Sequence, residues 1–303
     1  MNQIQEGISF YDALDKRLLF GDGAMGTMLQ KMGITQSPDI LNTDEQKIEK
    51  VVEVHLGYLK AGSDMVQTNT FGSNPIKLES SGKGHALQAV NRNAVSAVKK
   101  AIKLYREATN SKRRIFIAGS VGPLGKLLKP SGMVTYRQAV EAFGSQIKIL
   151  AGAGIDALII ETMMDINEAY AAIQAAKQAT DLPIICTLTF GSNGVTLMGN
   201  KAEEAVTLLQ DKGADVVGAN CSLGSEGMLD IARKMREADQ DAKLIFQPNA
   251  GLPVVKDGET SYDESPQVIA ENISQYLAYQ PSIIGTCCGS TPMHIKHIID
   301  TVS

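Results

Sequence analysis

Short runs of apolar residues alternate along the chain with longer stretches in which apolar positions recur every three or four residues. Leu18-Leu19-Phe20 runs into Gly21-Asp22-Gly23, an apolar run ending in glycines. Between 46 and 61, Ile48, Val52, Leu56 and Leu59 fall at helical spacing, and Gly62 follows as a stop. The alternation then repeats. It predicts strands at 18–20, 64–68, 115–118, 157–160, 183–189, 215–219, 243–246 and 282–284. Between them it predicts helices over 46–61, 84–108, 165–178, 201–212, 228–238, 266–279 and 292–299. Thr135 with Gln138 is a capping-box signature for one more helix, carrying Ala139, Phe143, Ile147 and Leu150.

The strand segments are continuous apolar runs, as a parallel sheet covered on both faces requires. About eight strand–helix units fit a (β/α)8 TIM barrel better than an open doubly wound sheet. No linker divides the chain, so 1–303 is expected to be a single barrel domain. The basic stretch Ser111-Lys112-Arg113-Arg114 reads as a solvated connection. Barrel active sites lie at the C-terminal ends of the strands. Asp22, Thr68-Asn69, Ser120, Glu161, Thr187, Asn220-Cys221, Gln247–Asn249 and Cys287-Cys288 are therefore expected to share one mouth.

Composition narrows the function classes. The chain has 303 residues and a net charge of −4, with 44 % hydrophobic and 5 % aromatic residues and no Trp. That argues for a sizeable core and against a nucleic-acid or anionic-membrane surface. Residues 1–17 are polar and lack a signal-peptide core, and no run approaches the ~18 apolar residues of a membrane span. A soluble cytoplasmic protein with reduced thiols is expected.

Of the four cysteines, Cys186 lies in an apolar run and reads as core, whereas Cys221, Cys287 and Cys288 fall at predicted strand ends. Three thiols are too few for a closed structural zinc site. They suit an open one, with three protein thiolates and one exchangeable position. Gly285 and Gly289 would let the chain turn sharply enough for the adjacent pair to face one metal. Any one cysteine taken alone is more often a core residue, and a strained vicinal disulfide is the other alternative for the pair. His55, His85, His294 and His297 lack metal-site spacing and read as surface or packing residues. Gly21-Asp22-Gly23-Ala24-Met25-Gly26 matches a dinucleotide-binding turn. An acidic residue inside that turn would repel a pyrophosphate, and no strand ends where the ribose-binding acid belongs. In the rival reading Asp22 is a mouth carboxylate that, with Glu161, holds a substrate ammonium.

Taken in order, 21–28 (GDGAMGTM), 68–72 (TNTFG), 119–123 (GSVGP), 160–162 (IET), 220–222 (NCS), 248–251 (PNAG) and 287–289 (CCG) span the chain. Together they resemble the homocysteine S-methyltransferase family, and within it the homocysteine-binding modules of cobalamin-dependent methionine synthases. The resemblance implies zinc on Cys221, Cys287 and Cys288, with the homocysteine sulfur as fourth ligand. It implies that Asp22 and Glu161 take the amino group, that backbone amides near Ser120 and Val121 take the carboxylate, and that Asn220 contributes to substrate binding. Thr286 stands where the family often has another glycine. The methyl donor expected from the resemblance is methylcobalamin or a methyl-corrinoid on a separate protein, since one barrel leaves no room for further cofactor domains. S-methylmethionine or another small donor is the alternative, and a non-catalytic zinc- or thiol-binding module is the alternative of another class.

Overall fold

In the computed structural model, which describes residues 7–34, 36–256 and 259–303, the apolar runs become the eight strands of one parallel sheet. They are β1 (Leu19–Phe20), β2 (Met65–Gln67), β3 (Phe116–Val121), β4 (Ala157–Met163), β5 (Ile184–Leu188), β6 (Val216–Gly224), β7 (Leu244–Asn249) and β8 (Ile283–Ile284). The order is β1-β8-β7-β6-β5-β4-β3-β2. At the β1/β2 seam the Asp64 amide donates to Phe20 O (2.7 Å), and the Asp64 carboxylate accepts from the Phe20 amide (3.0 Å). The Asp22 carboxylate accepts from the Gln67 amide (2.9 Å), so side chains complete the (β/α)8 ring where the strands are too short to do so.

The helices are α1 (Phe10–Lys16), α2 (Gly26–Lys31), α3 (Ile48–Ala61), α4 (Pro75–Ser80), α5 (Leu87–Thr109), α6 (Tyr136–Gly152), α7 (Ile166–Ala179), α8 (Ala202–Lys212), α9 (Leu229–Ala238), α10 (Pro266–Ser274) and α11 (Pro292–Val302). Gly62 ends α3 in the left-handed conformation, and Thr135 and Gln138 form the reciprocal capping box of α6. None of the helices among the described residues is long and apolar enough to cross a membrane.

Strand parity divides the core in two. Alternate residues, including Leu19, Met65, Phe116, Ala118, Ile159, Ile185, Val216, Ile245 and Ile283, fill the barrel interior, while the others pack under the helices. The interior needs a floor, which α1 provides. Phe10, Ala13 and Leu14 join that inner cluster, and the Phe10 ring meets Phe116 edge-on at 5.2 Å. Ser9 caps this helix by accepting from the Asp12 amide. Residues 1–6 of the polar N-terminal stretch lie outside the described residues.

The reading of 111–114 as a solvated connection is corrected. Arg113 is buried and donates to Leu59 O, Gly62 O, Ser63 O and the Asp64 carboxylate. Arg114 pairs with Asp156 at 2.5 Å. Both guanidiniums tie the end of α5 to the bottom of the barrel, because orphan carbonyls after α3 and the strand-initiating carboxylates need a multidentate cation. The chain also contains an unanticipated antiparallel hairpin, Val254–Lys256 with Glu259–Ser261, between β7 and α10.

Candidate functional site

The inward parity that builds the core continues to the upper strand ends, where it turns polar. Above Phe116 and Ala118 stands Ser120; above Ala157 and Ile159 stands Glu161; above Ile185 stands Thr187; above Ile245 stands Gln247. A cavity of about 570 Å³ opens over this layer, and Asp22, Thr68, Asn69, Ser120, Glu161, Gln247 and all three mouth cysteines line it.

Two strand irregularities aim the functional groups. The β6/β7 register shifts between Asn220 and Gly224, and Cys221 and Ser222 there take φ values of 61° and 59°. The β4/β5 register shifts between Ile160 and Met163, with Thr162 at φ 60°. Non-glycine residues in this region cost about 1–3 kcal/mol each and persist where surrounding bonds over-determine them. Asn220 supplies those bonds. Its Oδ1 accepts from the Thr162 amide (2.8 Å) and the Thr187 hydroxyl (2.7 Å), and its Nδ2 donates to Thr162 Oγ1 (2.7 Å). The same Nδ2 lies 3.4 Å from Glu161 Oε2 and 3.9 Å from Cys287 Sγ.

Cys287 and Cys288 follow β8. Their loop is clamped from beneath by Cys287 N donating to Pro248 O (2.7 Å) and Ala250 N donating to Cys288 O (2.9 Å). Gly289 turns the chain at φ 82°, and a Cβ there would lie 2.2 Å from the Tyr262 ring, so only glycine fits. The Sγ atoms of Cys221, Cys287 and Cys288 all lie within 4.8 Å of one another, with Cys221 and Cys288 4.0 Å apart. All are free thiols, so the pair is not a vicinal disulfide. Hydrogen bonds from Cys221 and Cys287 pull the Cys288 thiol down, whereas Cys221, Cys288 and burial push the Cys287 thiol well up. Three convergent soft donors with an amide donor behind one of them match the needs of a thiophilic cation that keeps an open position. Cys186 is fully buried in the core, where desolvation pushes its thiol up.

Beside the thiols stand two buried carboxyls. Asp22 gives one oxygen to the Gln67 amide, and its Oδ1 is buried with no partner among the described residues. Burial, then the charge of Glu161, pushes its pKa well above the ordinary value, against the pull of the Gln67 bond. Glu161 is pushed to about 7 by burial, although the Ser120 hydroxyl donates to it. The Ser120 amide donates to Thr68 Oγ1 (3.0 Å), and fully buried Val121 sits in the β3–β4 ladder. An anion taken up at these amides competes with those bonds.

Several lining residues carried no sequence signal. Asp39 accepts from the Gly72 amide (3.0 Å) and faces Lys77, whose Nζ stands 4.9 Å over the Phe71 ring. Beside them, the Glu168 carboxylate on α7 accepts from the Leu124 amide (2.7 Å) across the loop after β3. Tyr262 reaches the cavity from beyond the hairpin. Asp39, Phe71 and Tyr262 lie between the periodic segments of the sequence, and Lys77 sits on the short helix α4. His294 caps α11 through Thr291 and bonds Glu264 O, which is a packing role.

Known proteins resemble this chain in sequence and fold. A family model for homocysteine S-methyltransferase matches residues 19–302. Methionine synthase of Mycobacterium leprae is 28 % identical over 100 % of this chain and 26 % of the relative. That of Mycobacterium tuberculosis is 29 % identical over 96 % of this chain and 25 % of the relative. The chain thus spans about a quarter of the length of these curated relatives. The metallated crystal structure of the homocysteine methyltransferase MmuM from Escherichia coli superimposes with a TM-score of 0.80 at 23 % identity, covering 95 % of this chain and 97 % of that one. A methyltransferase from Methanosarcina mazei reaches 0.58 at 13 % identity, covering 96 % of each chain. At these identities the two structures attest the same fold. The family match extends over nearly the whole barrel and includes every element that carries the thiols and carboxyls, so the chain belongs to the homocysteine S-methyltransferase family.

Proposed function

We propose that this chain, as one homocysteine-binding barrel over 1–303, transfers a methyl group to the sulfur of homocysteine to give methionine, with zinc held by Cys221, Cys287 and Cys288. The observation that carries this reading is a single cavity lined both by three thiols within 4.8 Å of one another and by Asp22, whose buried Oδ1 has no partner among the described residues. Zinc, when bound, supplies the Lewis acidity that keeps the substrate thiol deprotonated at neutral pH.

The chain's own residues do the rest. Asp22 Oδ1 and Glu161 receive the substrate ammonium, and that cation returns both carboxyls toward their charged form. The carboxylate end lies toward Ser120 and Val121, where the Thr68 hydroxyl yields the Ser120 amide. Asn220 holds Thr162 and Cys287 and so keeps the sulfur side of the cavity aligned with the carboxyl side. The thiol proton leaves to solvent on binding. The sulfur lone pair then forms the S–CH3 bond as the donor–CH3 bond breaks, its electron pair staying with the donor. The thioether product is a weaker donor than the thiolate, which favours release.

The kinship to methionine synthases supports a methyl-corrinoid donor, free or on a separate protein. The cytoplasm, where thiols stay reduced, suits the chemistry. The test is zinc content and methionine formation in C221S, C287S and C288S, with methylcobalamin, S-methylmethionine, betaine and methyltetrahydrofolate as donors. Loss of zinc and activity in all three is expected. Zinc retained in all three sinks the ligand assignment, and turnover with S-methylmethionine alone sinks the corrinoid donor.

A further inference from the structure

The two loops that carry Asp22 and the cysteine pair are joined by a buried chain of hydroxyls. Ser290 is fully buried, and its hydroxyl has one donor and two acceptor positions, all of them used. It donates to Cys287 O (2.8 Å) and accepts from the Ala24 amide (3.1 Å) and the Thr286 hydroxyl (2.9 Å). Tyr58 OH, also buried, donates to Ala24 O at 2.9 Å, so both polar groups of Ala24 are held. Two further bonds cross the same gap. The Thr286 amide donates to Asp22 O (3.0 Å), and the Gly289 amide donates to Thr27 Oγ1 (3.1 Å). The packing leaves no slack. A Cβ on Gly23 would lie 2.4 Å from Ser290 Oγ, 2.6 Å from Thr286 Oγ1 and 2.9 Å from Tyr58 OH.

We propose that Ser290, Thr286 and Tyr58 are positioning residues that lock the metal-binding loop to the ammonium-binding loop, so that metal occupancy at the thiols and amine recognition at Asp22 are coupled. Cys287 is held through its carbonyl by the hydroxyl that also holds Ala24. A shift of the cysteine backbone on metal loading therefore moves the glycine loop and Asp22 with it. Thr286 thus has a use: its hydroxyl orients Ser290, which a glycine cannot do.

This inference rests on the proposed roles of the thiols and Asp22, and the experiment separates the two. In S290A, Ala24 N–H and the Thr286 hydroxyl lose an acceptor, and Cys287 O loses a donor. Metal affinity is read by chelator competition with zinc and by the thiolate charge-transfer bands of the Co²⁺-loaded protein. Affinity is expected to fall about 10- to 100-fold, the range for residues that orient metal ligands. Homocysteine and 4-mercaptobutanoate, which lacks the ammonium, are then compared on metal-loaded protein. S290A is expected to weaken homocysteine by the larger factor. T286V, which removes one donor only, should show the same pattern more weakly, with T286S restoring it. It also serves if S290A does not fold. Metal affinity within twofold of the parent in both variants, or equal loss for the two thiols, overturns the coupling. If C287S still binds metal, the site reading itself fails; if C287S loses metal and the hydroxyl variants behave as the parent, only the coupling fails.

Discussion

Replacing Asp22 by Asn tests substrate recognition and stability with opposite expected signs. The amide keeps an oxygen to accept from the Gln67 amide, so the β1/β2 seam stays closed. What is lost is a buried carboxylate whose Oδ1 has no partner among the described residues. A hydrogen bond to a charged group contributes about 1.5–3 kcal/mol, so homocysteine affinity should fall about 10- to 150-fold. 4-Mercaptobutanoate, lacking the ammonium, should bind both proteins alike. Stability of the ligand-free protein should move the other way. The folded pKa of Asp22 is raised well above 3.8, so between that value and the folded pKa the native state holds the extra proton. Parent stability therefore falls as pH rises through this window, and D22N lacks that loss. Calorimetric binding of the two thiols and urea unfolding at several pH values make the measurement. Equal weakening of both thiols would refute ammonium binding. A D22N protein that is less stable than the parent at neutral pH would refute the uncompensated buried charge.

Phe10→Ala removes the ring that closes the barrel floor against Phe116. It should cost about 3–5 kcal/mol in denaturant unfolding while leaving the KM for homocysteine unchanged, because the floor lies at the opposite end from the thiols. A changed KM with little loss of stability would contradict the plug. His55 is buried with neither ring nitrogen bonded among the described residues, and burial lowers its pKa from 6.5 to about 4. The unfolded chain takes the proton first, so stability is lost as pH falls from 6.5 toward 4. The loss is about 2 kcal/mol by pH 5, from the difference in proton binding between those two pKa values. H55L should remove that share of the acid sensitivity in urea unfolding, and an unchanged pH profile would count against it.

Much of the site was legible because strand ends are legible. Apolar runs mark strands, strand ends mark the mouth, and so Asp22, Glu161, Cys221, Cys287 and Cys288 could be placed together before any coordinates. The orientation of those groups was not legible. Nothing in the position of Asn220 along the sequence announces the bonds that its amide makes to Thr162 and Thr187 beside Cys287. Phe71, Asp39 and Tyr262 come from between the periodic segments and Lys77 from the short helix α4, where no sustained periodicity connects sequence position to direction.

The sequence alone determined the alternation of elements, the parallel barrel and the residue types at its mouth, because hydrophobic periodicity and capping act locally. Tertiary structure alone decided three further matters. It turned a basic stretch into the buried Arg113 clamp, because the carbonyls and the Asp64 carboxylate that it binds come from segments far away in the chain. It recruited residues 10–16 as the barrel floor, because an open barrel end exposes an apolar interior that only a long-range contact can cover. It brought three sulfurs from two strand ends within reach of one ion, Cys221 through a left-handed bulge in β6 and the cysteine pair through the loop after β8, with Asn220 bonded to Thr162 and lying beside Cys287.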